Sequence, residues 1–179
     1  MRAMNKGELQ QNLVKHYAGF VEYINSMSQD EVNISYNGKW SPVKQVDHLV
    51  RSVAPVRLAL TIPSFILRIF FGSANRPSRK YDELVAKYHA KLQAGGRASG
   101  RFLPDKKPKQ ALKLTTQLTH LIQSLNQKVE SFSEEQLDTL ILPHPLLGKL
   151  TLREMLYFTI YHVQHHHQQV LANKGSSDH

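Results

Sequence analysis

Apolar residues recur three and four positions apart along most of this chain, and that rhythm constrains the fold more than any other feature. Leu9, Leu13, Tyr17, Phe20, Ile24 and Met27 place one stripe on a helix from about Asn5 to Met27. Asn37-Gly38, inside "SQDEVNISYNGKW", breaks the pattern into a loop. A second helix opens at "SPVKQVDHLVRSV", with Ser41 as N-cap and Pro42 at the first helical position, where a missing N–H costs nothing. Pro55 and Pro63 kink or end it, and a short apolar helix follows to about Phe71. "SRKYDELVAKYHAKLQ" is a further helix closed by Gly95-Gly96, and "GGRASGRFLPDKKP" is a basic, glycine-rich loop. Ala111, Leu114, Leu118, Leu121, Leu125 and Val129 mark a third long helix. Two capping boxes follow: "SEEQ" at Ser133 opens a short turn, and "TLRE" at Thr151 opens the last helix. Between them "LPHPLLGKL" reads as a turn.

No alternating apolar run is long enough to build a sheet, and no internal repeat is present. The pattern predicts an all-α fold: an up-down four-helix bundle with a long crossover and short accessory helices between the second and third main helices. At 179 residues the chain can bury one sizeable core. We expect a single domain over residues 1–174 and a frayed tail over 175–179.

Composition narrows the chemistry. The absence of cysteine excludes disulfides, thiolate zinc sites and a cysteine nucleophile, and fits a cytoplasmic location. The N-terminal stretch has no apolar signal core. The greasiest segment, "LALTIPSFILRIFF", is bounded by Arg57, broken by Pro63 and interrupted by Arg68. It falls short of the ~20 apolar residues of a spanning helix. We therefore expect a buried helix pair and no membrane partner, an interfacial contact being the alternative. The net charge of +9 is confined to residues 68–113, which hold 12 Lys/Arg against 3 Asp/Glu. That is either a solvated basic crossover or a local anion-facing surface. No helix-turn-helix signature or RNA-binding motif accompanies it, so no nucleic-acid partner is expected.

The last helix carries "YHVQHHHQQV". His162 and His166 are about 40° apart and one turn apart, the spacing with which one helix offers two imidazoles to one metal. They share a face with Met155, Thr159 and Val163. His165 falls about 60° to the outer side of His162, and His167 about 100° from His166, so both read as bystanders. A polar helix end with solvated histidines is the competing reading. His48 is the best third ligand: it points away from the stripe Val46, Leu49, Val50 and Val53, toward a small-residue face with Gln45, Ser52 and Ala59. An exposed histidine there is the alternative. His16, His89 and His120 read as surface or edge residues, and His144 as a turn residue.

"WSPVKQVDHL" (Trp40–Leu49) and "HPLLGKLTLREMLYFTIYHVQHHHQQV" (His144–Val170) together resemble the DinB-like (YfiT-like) superfamily. The resemblance spans nearly the whole domain. It implies a four-helix bundle holding a divalent metal, usually nickel or zinc, on three histidines, which map onto His48, His162 and His166. It also implies a homodimer. The chain departs from many relatives in having His167-Gln168 where Arg-Gly is common.

Three neutral imidazoles leave coordination positions open, as in catalytic metal sites. Hydrolysis would also want a carboxylate base, and neither Asp47 nor Glu154 faces the expected ligands. Some members resemble thiol S-transferases that use a low-molecular-weight thiol such as bacillithiol, mycothiol or glutathione, a chemistry that needs no protein nucleophile. We expect such an enzyme acting on a small-molecule substrate, with Arg97 and Arg101 attracting the thiol's carboxylates. A non-catalytic metal-binding bundle and a metal-dependent amide or ester hydrolase are the alternatives.

Overall fold

A computed structural model describes residues 3–35 and 38–175. Helix α1 (Lys6–Asn25) starts at Asn5, whose side chain accepts from Glu8 N while Glu8 caps the Asn5 N–H in return. It ends before Met27, two residues short of the expected limit. Helix α2 (Pro42–Ala59) begins on Pro42 as expected, although Ser41 makes no side-chain cap bond, and it passes through Pro55 without ending. Of the Asn37-Gly38 break, Asn37 lies outside the described residues and Gly38 has a φ of 71°.

The crossover carries α3 (Ser64–Phe71), α4 (Tyr81–Gln93) and a single 3-10 turn at Gly100–Phe102. Helix α5 (Ala111–Glu130) follows, then α6 (Glu134–Thr139), capped by Ser133 as its capping box requires. Helix α7 (Leu152–Gly175) closes the described chain, and the remainder of the expected tail, 176–179, lies outside the described residues.

The four long helices α1, α2, α5 and α7 form the bundle. Consecutive α1 and α2 pack against α5 and α7 on either side rather than chiefly against each other. The long connection at residues 26–41 lets the chain cross the bundle end between them. Leu13, Phe20, Leu49, Leu118, Leu125 and Val163 are fully buried where these helices meet. The stripes read from sequence therefore face one core.

Two expectations need correction. "LPHPLLGKL" is a β-hairpin, not a bare turn: β1 (Ile141–His144) pairs antiparallel with β2 (Gly148–Thr151), His144 opposite Gly148. Its strands are four residues each, too short for alternation to show. Gly148, at φ 77°, supplies the left-handed residue that ends the three-residue loop. The second correction concerns α3, which is not part of a buried pair. Only Leu67 is buried, while Phe65, Ile69 and Phe70 are exposed, because two turns of helix packed on β1 can cover only one narrow face.

Among the described residues no single helix is long and apolar enough to cross a membrane. The pair α2 and α3 reaches the required length and composition only together, across a bend of 109°.

Candidate metal centre

The site grows out of the start of α7. Thr151 and Glu154 form the expected capping box, Thr151 Oγ1 accepting from Glu154 N at 3.1 Å and Glu154 Oε2 from Thr151 N at 3.0 Å. From there through Ile160 the helix is buried on every side, which fixes its rotation. Its next turns carry His162 and His166 inward, 5% and 4% exposed. Across the bundle α2 presents His48, also 5% exposed, on the face opposite its packing stripe.

The three Nε2 atoms converge. His162 Nε2 lies 3.1 Å from His48 Nε2 and 2.9 Å from His166 Nε2, and all three ligand atoms fall within 4.8 Å of one another. The opposite nitrogens set the tautomers. His48 Nδ1 donates to Phe102 O at 2.6 Å, and His166 Nδ1 donates to Gln45 Oε1. Both rings therefore direct unprotonated Nε2 lone pairs into the cluster, as a metal-ligating histidine with an outer partner does. A divalent ion about 2.0–2.1 Å from each nitrogen would keep the three about 3 Å apart, so the residues fit such an ion. Burial pushes His162 and His166 well below the ordinary imidazole pKa, and each is lowered further by neighbouring histidines. His48 is lowered by burial, against the opposing pull of Phe102 O and Asp47. All three are thus held neutral, the form that binds metal.

Supporting residues escaped the sequence reading. Gln45 receives His166 and itself donates to Gln169 Oε1 at 3.2 Å, and Gln169 Nε2 donates to His165 Nε2 at 2.8 Å. Trp40 stacks beside His166 with ring centroids 6.4 Å apart and lies 5.0 Å from His48. Gln45 was recognisable only as a neighbour of His48 on the helix, and Phe102 O, coming from a loop, left no periodic signal.

The bystanders fall as the helical phase indicated. His165 packs among Tyr88 and Tyr161, and His167 against Phe20 and Tyr23 of α1. His89 and His120 are exposed and His16 is at an edge. His144, expected in a turn, is the last residue of β1 next to the hairpin loop; it is outside the triad but joins the wall of the site. Its ring lies 4.2 Å from Phe158, which in turn stacks on His162 at 4.8 Å. Burial, helped by the Lys87 ammonium, pulls its pKa down to about 4.

Beside the triad lies a cavity of about 230 Å³ walled by His48, His162, Tyr88, Phe102, His144 and Phe158. Arg97 and Arg101 also line it and are exposed to solvent. Arg97 is tied to main-chain oxygens of Leu92 and Gly96, and Arg101 lies over the Phe102 ring at 5.1 Å. No Asp or Glu of the described residues lines this cavity. Asp47 accepts from Arg51 Nε and Asp105 N, both at 2.7 Å, while fully buried Glu154 is held by Arg76 and Arg79.

The same architecture occurs in a solved structure, YfiT from Bacillus subtilis, described as a probable metal-dependent hydrolase with an unusual four-helix bundle topology. The two chains are 16% identical and superpose with a TM-score of 0.65, covering 99% of this chain and 92% of that one. No curated protein matches the chain by sequence. The family model of the DinB superfamily matches residues 12–170, which takes in His48, both inward histidines of α7, all of α2 and α5 and most of α1 and α7. The chain belongs to the DinB superfamily.

Proposed function

We propose that the chain is a metal-dependent enzyme of the thiol S-transferase type, with His48, His162 and His166 as ligands of a divalent ion, nickel or zinc. The observation that carries this reading is the convergence of three neutral imidazoles, two with fixed tautomers, at a mostly apolar cavity whose wall includes His48 and His162. A closed structural site would use four protein ligands, whereas three leave room for a small molecule. A divalent ion bound there supplies Lewis acidity, lowering the proton affinity of whatever group it takes up. The chain's own part is to orient and to exclude water. Phe102, Phe158 and Tyr88 wall the apolar space, and Arg97 and Arg101 offer positive charge to a carboxylate-bearing low-molecular-weight thiol.

The engagement of Asp47 and Glu154 in ion pairs favours transfer over hydrolysis, since neither carboxylate is free to take a proton from water. Metal-dependent hydrolysis of an amide or ester is the second reading, favoured by the description of YfiT. A third is a bundle that binds metal without turnover.

The test is elemental analysis of the purified protein, followed by assays with a thiol panel and an electrophile. Metal-dependent consumption of both thiol and electrophile is the expected result. Thiol-independent turnover of an ester supports hydrolysis, and stoichiometric metal with neither activity supports binding alone. A His48→Ala protein that keeps full metal occupancy overturns the ligand set. Loss of the thiol's affinity on replacing Arg97 and Arg101 is expected as well, and unchanged affinity removes them from the site.

A further inference from the structure

His144 is a histidine of the cavity wall whose proton is placed by the main chain in the opposite sense from those of His48 and His166. Its Nδ1 lies 3.2 Å from Leu146 N and 3.1 Å from Leu147 N. Both of those atoms are amide donors, so Nδ1 must be the acceptor and carries no proton. A neutral imidazole has one proton to place, and it is therefore on Nε2. The ring is held in that pose by the turn of the hairpin and by Phe158.

The Nε2 atom has no hydrogen-bond partner among the described residues. The single buried side-chain polar atom lacking a partner there is Asn126 Oδ1, so His144 Nε2 is open to the space around it. His144 lines the cavity together with His48 and His162. A donor is rigidly mounted beside a site where His48 and His166 direct lone pairs inward.

We propose that His144 binds substrate by donating its Nε2–H to a carbonyl oxygen, so that the cavity takes a largely apolar molecule bearing a ketone, ester or amide carbonyl. This rests on the reading of the cavity as the substrate site. The apolar walls receive the hydrocarbon part and His144 fixes the oxygen. The depressed basicity of the ring agrees with a permanent neutral donor.

Two measurements test the proposal. The first is nitrogen-15 NMR of histidine-labelled wild-type protein, which reads the tautomer without any mutation. The Nε2–H form of His144 is expected from pH 5.5 to 8, and the Nδ1–H form overturns the proposal. The second compares binding of 4-phenyl-2-butanone with butylbenzene, which lacks the oxygen, in chelator-treated and zinc-loaded protein. Wild type is expected to prefer the ketone about threefold to tenfold in both states, the worth of one hydrogen bond. In His144→Asn the side-chain oxygen keeps the acceptor of the turn while the short amide withdraws the donor. The preference is expected to disappear there, with the fold intact by circular dichroism. A preference kept in His144→Asn, or absent from wild type, overturns the proposal. If zinc fails to bind while the ketone preference stands, the metal reading fails and the donor role survives.

Discussion

A neutral imidazole can serve as a ligand or a donor according to which nitrogen keeps its proton, and both tautomers occur beside one cavity. His48 and His166 spend their Nδ1 protons on Phe102 O and Gln45, leaving lone pairs for a metal. His144 spends its Nδ1 lone pair on two amides and keeps Nε2–H. The same burial has a measurable cost at low pH. The folded-state pKa of His144 is about 4, below the 6.5 of the unfolded chain. Below pH 6.5 the unfolded state therefore binds a proton that the folded state refuses. Its contribution to stability is fully present above pH 6.5 and is lost as pH falls to about 4, by as much as ~3 kcal/mol. Urea denaturation between pH 7 and 4 should accordingly show a shallower loss of stability in His144→Asn than in wild type. Parallel curves would show that His144 is not the titrating group. Helical phase alone separated His162 and His166 from His165 and His167, because the 3.6-residue period assigns each side chain a direction. It could not reveal His144, whose direction is set by a hairpin.

Between elements, the same limit recurs at Glu154. In sequence it is the last residue of a capping box, and so it is in the fold. It also receives Arg76 through two bonds of 2.7 and 2.9 Å, and Arg79 through both backbone N and guanidinium. One carboxylate thus fastens the crossover after α3 to the first turn of α7, directly below the histidines. The capping box was legible because its spacing is local, whereas the pairing joins residues 75 and more positions apart across irregular chain. The hairpin was missed for a related reason: four-residue strands do not repeat a pattern often enough to read. Glu154→Ala should be destabilising by about 1–3 kcal/mol, because it removes the charged acceptor shared by Arg76, Arg79 and the Thr151 amide, while the two part-exposed guanidinium groups can turn to water. Equilibrium denaturation checks this, and a loss below about 1 kcal/mol would mean that the crossover is held by other contacts. Asp47 is paired in the same manner, with Arg51 in its own helix and with the Asp105 amide in the basic loop, next to His48. Both ion pairs brace the segments that carry the three converging histidines.

In the whole molecule the four helical stripes fixed the bundle and its core, since burial of one apolar face per helix leaves few other arrangements. The order of helices around the bundle was not legible, because stripes do not say which neighbour they meet. The triad depends on that order: His48 on α2 and His162 on α7 are 114 positions apart in the chain and adjacent only because those helices pack together. An ion held by both helices would bind the folded chain and find no such site in the unfolded one, so its binding free energy would add to folding stability. At a free zinc concentration about 100-fold above Kd the gain is about 2.7 kcal/mol, which for a domain of this size raises Tm by roughly 5–10 °C. The same titration on His48→Ala should lose most of that shift, because the remaining pair, His162 and His166, lies on α7 alone and no longer couples two helices. His120→Ala, altering an exposed histidine of α5 that does not line the cavity, should keep the full shift. A zinc-induced rise in Tm that His48→Ala retains in full would place the ion elsewhere on the molecule, and no rise in wild type would remove the ion from the account of its stability.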